Sequence, residues 1–158
     1  MYSVGDLVVH PMHGAGVIDA IVQERIAGNV QDYYVFRMPV GGLVLKIPTE
    51  NSGVIGIRSI VAPAEIERLI RDIPGMEVEQ TANWNKRYRE NLQRLKSGDL
   101  HEVARVIKSL IHRGRQKGLS TGERRMLHNA KQILLSEFVL VEQCDYDEAL
   151  ARIDGAMQ

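Results

Sequence analysis

Near residue 60 the spacing of apolar and polar positions along the chain changes its period. Before that point apolar residues come in short runs: "DLVVH" (Asp6–His10), "GVIDAIVQERI" (Gly16–Ile26), "QDYYVFRM" (Gln31–Met38), "LVLKIP" (Leu43–Pro48) and "GIRSIV" (Gly56–Val61). They are rich in β-branched and aromatic residues, and "AGN" (Ala27–Asn29) and the Gly41-Gly42 pair supply turns between them. About five short strands of this kind predict a small antiparallel β-barrel of SH3-like or Tudor-like size. Beyond it the apolar spacing is helical. Pro63 opens a short helix with Ile66, Leu69 and Ile70 on one face, and Pro74-Gly75 stops it. "MEVEQTAN" (Met76–Asn83) reads as a polar linker. A helix follows from about Asn83 to Lys96 and ends at Ser97-Gly98. Asp99, with Glu102 three residues on, starts the next, whose inward face carries Leu100, Val103, Ala104, Val106, Ile107, Leu110 and Ile111. Ser120 and Glu123 form a capping box, S-x-x-E, ahead of the stripe Met126, Leu127, Ala130, Ile133, Leu134 and Phe138. A last helix follows Asp145, with Ala149, Leu150 and Ile153 inward. The expected fold class is α+β in two domains. A barrel occupies 1–61, a short helix and linker 62–82, and a bundle of about four helices 83–158.

The charge pattern changes how this picture is read. Net charge over the 158 residues is zero, which by itself argues against a nucleic-acid partner. It is the average of unequal blocks: −1 over residues 1–61, −3 over 62–80, +9 over 81–131 and −5 over 132–158. Most charge runs are solvated helix faces. Here 13 Lys and Arg face only four Asp and Glu within 51 residues, which favours an anion-binding surface. One cysteine, Cys144, excludes an intramolecular disulfide and fits a reducing cytoplasm. The first residues do not form a signal peptide, because Asp6, His10, Pro11 and His13 break the apolar run. No stretch reaches the roughly 18 uninterrupted apolar residues of a membrane span.

Candidate chemistry is sparse. His10 and His13 stand three apart, but two histidines without a third ligand are a weak metal signal, and turn residues at a strand end are the better reading. Cys144 has Glu142, Asp145 and Asp147 for neighbours, which raise its pKa and leave it inert. There is no phosphate-binding glycine loop with its lysine, no dinucleotide fingerprint and no nucleophile elbow. The expectation is a protein without catalytic residues, metal or cofactor. Lys46 and Arg25 alternate with apolar residues and should face outward from the barrel, where each singly is most simply a solvated charge.

The stretch "NWNKRYRENLQRL" (Asn83–Leu95) holds the single tryptophan. Trp84, Tyr88, Leu92 and Leu95 fall on one helix face, so Trp84 could cap a core. Yet Asn83 is a plausible N-cap, which puts Trp84 at the helix end, ringed by Lys86, Arg87 and Arg89. Cations in a first turn oppose the helix dipole. A flat ring beside arginines suits DNA, where the ring meets bases and the cations meet phosphates. On the residues alone the two readings are even.

The blocks "VGDLVVHPMHGAGVI", "LKIPTENSGVIGIR", "NWNKRYRENLQRLKSGD" and "GLSTGERRMLHNAKQIL" resemble the CarD/CdnL family of bacterial transcription factors, in order and spacing, over nearly the whole chain. The first block alone also resembles the polymerase-binding module of the transcription-repair coupling factor, whose motor has no counterpart here. The resemblance implies a barrel that binds the RNA polymerase β subunit. It also implies a helical domain that contacts promoter DNA with little sequence specificity. In the family a tryptophan matching Trp84 wedges into the minor groove at the upstream edge of the bubble and stabilises the open complex. The family's basic positions match Arg89, Arg124 (next to Arg125) and, in the barrel, Lys46. A second barrel position, often arginine in the family, is Glu24 here, with Arg25 beside it. The expected location is the cytoplasm, on the nucleoid. The alternative is a nucleic-acid-binding module that acts without polymerase.

Overall fold

The computed structural model describes residues 1–78 and 83–158. Five strands, β1 (Leu7–His10), β2 (Gly14–Ile26), β3 (Asn29–Arg37), β4 (Val44–Pro48) and β5 (Arg58–Ser59), form one antiparallel sheet in the order β4-β3-β2-β1-β5. The turn between β2 and β3 is Ala27-Gly28, both at positive φ (51° and 82°), the geometry that matches the right-handed twist of a tight hairpin. The sheet encloses an apolar core of Val8, Ile18, Tyr34, Phe36, Met38, Ile47 and Ile57. The last strand is shorter than the run Gly56–Val61 predicts. A one-turn helix α1 (Ser52–Ile55) ends at Gly56 in the left-handed conformation, and Ile60 and Val61 turn away to pack on the helical core.

Helices α2 (Pro63–Asp72), α3 (Trp84–Lys96), α4 (Leu100–Gln116), α5 (Thr121–Glu142) and α6 (Tyr146–Met157) build the second unit. The expected caps form. The side chains of Asn83, Asp99, Ser120 and Asp145 accept hydrogen bonds from the main-chain N–H of Lys86, His101, Glu123 and Glu148. The predicted stripes converge, with Leu95, Val106, Ile107, Leu110, Leu134, Phe138 and Ile153 all buried. α2 is part of this bundle and not a spacer, since Ile66, Leu69 and the following Ile73 are fully buried in the same core. Three main-chain carbonyls beyond α2, those of Ile73, Pro74 and Met76, accept hydrogen bonds from Lys108 Nζ (2.7–3.0 Å). The short helix expected to open at Pro63 forms as α2, and residues 79–82 of the expected linker lie outside the described residues.

The two units are joined through buried polar contacts that the sequence patterns do not announce. Glu137, on α5, is 0% exposed. Its carboxylate accepts two hydrogen bonds from the Arg58 guanidinium (2.7 and 2.8 Å) and one from the Val61 N–H (2.9 Å). Arg58 also donates from Nε to the Gly98 carbonyl, so one side chain ties β5 to α5 and to the α3–α4 turn. Nearby the Ala15 N–H donates to Ser136 Oγ (2.8 Å). Gly14 is required there. A Cβ at that position would sit 2.3 Å from Ser136 Oγ, and its φ is +120°. Two acids, Glu137 and Glu123, are thus buried, and each is paired with an arginine.

Candidate nucleic-acid interface

Four side chains from two helix starts lock together at the tip of the bundle. Trp84 and Arg87 are three apart in the first turn of α3, and Ser120 and Glu123 are three apart at the start of α5. The indole Nε1 donates to Ser120 Oγ (3.0 Å), and the Arg87 guanidinium binds both carboxylate oxygens of Glu123 (2.8 and 3.3 Å). Ser120 is thus both the N-cap of α5 and the anchor of the indole. Glu123 has the capping-box position, but its carboxylate is directed to Arg87. Burial alone would raise the Glu123 carboxyl; the hydrogen bond and charge of Arg87 outweigh it and hold that group below its ordinary value of 4.5.

The Trp84 ring stacks on Tyr88, with centroids 5.0 Å apart and planes 16° apart. It also lies over Gly122, where a Cβ would meet the indole at ordinary contact distance, 3.6 Å. Even so Trp84 keeps 41% of its surface exposed. It is neither a core residue nor a loose one. One side is seated on Tyr88 and Gly122, the N–H is satisfied, and the remaining edge faces solvent. Loss of the seat should register directly in the fluorescence of this single tryptophan. Ser120→Ala is expected to cost about 1 kcal/mol of stability as a lost cap. It should also raise acrylamide quenching of Trp84 over the wild type.

The cations expected around the ring divide into two groups. Arg87 does not face outward: its side chain is 7% exposed and it is ion-paired with Glu123, so it supports the site from within. This corrects its place among the DNA-facing residues. A cation at i+3 from Trp84 turns toward the neighbouring helix, where a buried carboxylate compensates it. Lys86 and Arg89 are exposed and three apart on a shared flank of α3, with Lys86 near Glu90 (3.9 Å). Arg124 and Arg125 are exposed on α5, and Arg124 folds over the helix start, donating to the Leu119 carbonyl and Thr121 Oγ1 (both 3.3 Å). The opposition between the α3 dipole and first-turn cations is relieved by Glu123 and Glu90. Within the +9 block, Arg94 and Lys131 also meet acids, Glu102 and Asp154, and Lys108 holds carbonyls. The outward basic surface is consequently Lys86, Arg89, Lys96, Arg115, Lys117, Arg124 and Arg125.

The barrel candidates are not brought together. An irregularity between Ile18 and Ala20 shifts the β2–β3 register. Beyond it Ala20, Val35 and Lys46 are cross-strand partners on one face, and Glu24 shares that face by alternation along β2. Lys46 and Glu24 form an ion pair there. Arg25, the next residue, is exposed on the opposite side of the hairpin. The structure therefore does not put Arg25 in the position that Glu24 occupies beside Lys46.

The His10 and His13 rings lie 4.5 Å apart, and His10 Nδ1 accepts a hydrogen bond from the Met12 N–H. Burial, reinforced by His13, pushes His10 down to about 4. Among the described residues no group of three or more His, Cys, Asp or Glu could hold a metal ion. Burial and then the charges of Glu148 and Asp145 raise the Cys144 thiol. Among the described residues no helix is long and apolar enough to cross a membrane.

Residues 2–61 match the family model described as the CarD-like/TRCF RID domain, and residues 68–154 match the one described as CarD, C-terminal domain. The chain belongs to the CarD family. It is 32% identical over 142 residues to "Putative transcription factor YdeB" of Bacillus subtilis (strain 168), covering 90% of this chain and 93% of that protein. The boundary between the two CarD-family matches falls where the sheet core gives way to the helical core. Membership makes transcription regulation the general role of this protein.

Proposed function

We propose that this protein is a transcription initiation factor that docks on the RNA polymerase β subunit through its barrel and stabilises the promoter open complex with Trp84. The observation that carries the reading is the seat of Trp84. A half-exposed indole is held by Ser120 and Tyr88, and exposed Arg89, Arg124 and Arg125 stand on the two helices that hold it. A ring positioned in this way opposes the re-pairing of an opened duplex edge. Seating it in advance removes the ordering cost that a free side chain would meet on binding. The exposed cations add phosphate contacts that are independent of sequence and weaken with salt. Among the described residues no helix presents a row of base-reading side chains, so in this reading the polymerase supplies localisation. The two weak attachments reinforce each other by effective concentration. The Arg58–Glu137 contact serves this reading, since a barrel held rigidly on the bundle delivers the indole to one place.

The polymerase arm is supported by the barrel match and by β4, whose outer edge has no strand partner among the described residues. Lys46 lies on that strand, and Glu24 neutralises part of its charge. Lys46→Glu should therefore abolish binding of the full chain to core polymerase while leaving its thermal stability unchanged. Glu24→Arg should strengthen binding. Open-complex lifetime after a competitor challenge, measured with wild type and both variants, tests the whole reading. If Lys46→Glu prolongs that lifetime as well as wild type does, the polymerase-independent alternative is the correct one.

A further inference from the structure

Next to the Trp84 seat lies a cleft that the wedge does not use. Its volume is about 290 Å³. Its apolar lining comes from Met12, Tyr88, Leu92, Leu95 and Met126, and its polar lining includes Arg125 and Asn129. Tyr88 belongs to both features, stacking on Trp84 and lining the cleft. Met12 comes from the β1–β2 turn, so the cleft exists only because the barrel and the bundle are packed together.

Size, charge and position together restrict the occupant. The volume is at the bottom of the range for small-molecule sites, about 300 Å³ and upward, which suits one planar ring system and not a helix or a strand pair. Among the described residues no carboxylate lines it, and the exposed guanidinium of Arg125 stands at it, so it tolerates a neighbouring phosphate. An aromatic ring, two leucines and two methionines make an adaptable apolar slot for a base face. The Asn129 amide can both donate to and accept from a base edge. An unpaired base costs least to accommodate when the duplex is already open, which is the condition at a wedge.

We propose that this cleft takes up one unpaired DNA base at the edge of an opened duplex, with Tyr88 as its stacking face and Arg125 on the adjoining phosphate. The assignment rests on the wedge reading for delivery of that base. The test uses the full chain and two oligonucleotides of the same sequence, one fully paired and one forked, with 2-aminopurine at the first unpaired position. The fork should bind about 5-fold or more tightly than the duplex, the lower end of stacking one base on an aromatic side chain, and the probe's emission should change on binding. Met12→Trp and Leu92→Phe fill the cleft from opposite units. Each should abolish the fork preference and the probe response while leaving duplex affinity unchanged, with circular dichroism reporting the fold. Either folded variant is sufficient, and retention of both signals in it overturns the proposal. A wild type without fork preference overturns it also. So does a filled cleft that loses polymerase binding but keeps the fork signals, because the occupant is then a protein side chain. Trp84→Ala separates the two ideas: if that variant keeps the full fork preference, the wedge reading fails whatever the cleft variants show.

Discussion

Trp84→Ala should leave the protein folded and shorten the lifetime of a polymerase–promoter open complex. The expected factor is about 5- to 150-fold, the range of about 1–3 kcal/mol for an aromatic side chain stacked on a base. Folding survives because the indole contributes to one edge of the bundle and not to its centre. With 41% of its surface already exposed, removal forfeits the Tyr88 stack and one hydrogen bond to Ser120. That loss is about 1–2 kcal/mol against a typical stability of about 5–15 kcal/mol. Lifetime assays and thermal melts on the same preparation separate the two effects. A variant that unfolds, or one that holds the bubble as long as wild type, would sink the wedge reading.

Arg87→Ala should do the reverse. It should lower stability by about 3–5 kcal/mol, because Glu123 is left as an uncompensated charge in a buried site. Replacing both partners with apolar residues of similar size, Arg87→Met with Glu123→Leu, should recover most of that loss. Chemical denaturation of the single and double variants measures both. The acid side of the stability curve carries the same signature. The folded Glu123 carboxyl lies below its ordinary value of 4.5, so the unfolded chain takes up its proton first as pH falls. The stabilisation from the pair is complete above pH 4.5 and is lost as pH falls through the lower folded value. Glu123→Gln should flatten that acid limb. Were Arg87 a phosphate contact, its removal would reduce DNA affinity and salt dependence and leave stability nearly unchanged.

The contrast between Trp84 and Arg87 shows how far local pattern carries. Both stand in the first turn of α3, and by composition both belong to one basic, aromatic run. Helical spacing placed Trp84 in line with Tyr88, and the ring stack observes that alignment. Spacing could not say that α5 begins alongside, with Ser120 and Glu123 spaced to receive Trp84 and Arg87. The signal was present in part, since Ser120 and Glu123 form a recognisable capping box. What the box lacks is any mark that its carboxylate serves another helix.

Strand runs, helix stripes, caps and the change of period near residue 60 were legible in the sequence because they are local. Each follows from alternation, from 3.6-residue spacing or from one side chain satisfying a nearby N–H. Most boundaries agree accordingly; β5 shortens where Ile60 and Val61 leave the sheet for the helical core, α4 continues through Gly114 to Gln116, and the one-turn α1 has no counterpart in the sequence pattern. Tertiary structure alone decided which charges are surface. Whether Glu137, Glu123 and Arg87 are buried depends on what lies opposite them across 36 to 79 residues of chain, and no short window contains that information. The same holds for Arg25 and Glu24. One extra residue in β2 sets which side of the hairpin each occupies, and thus which of them meets Lys46.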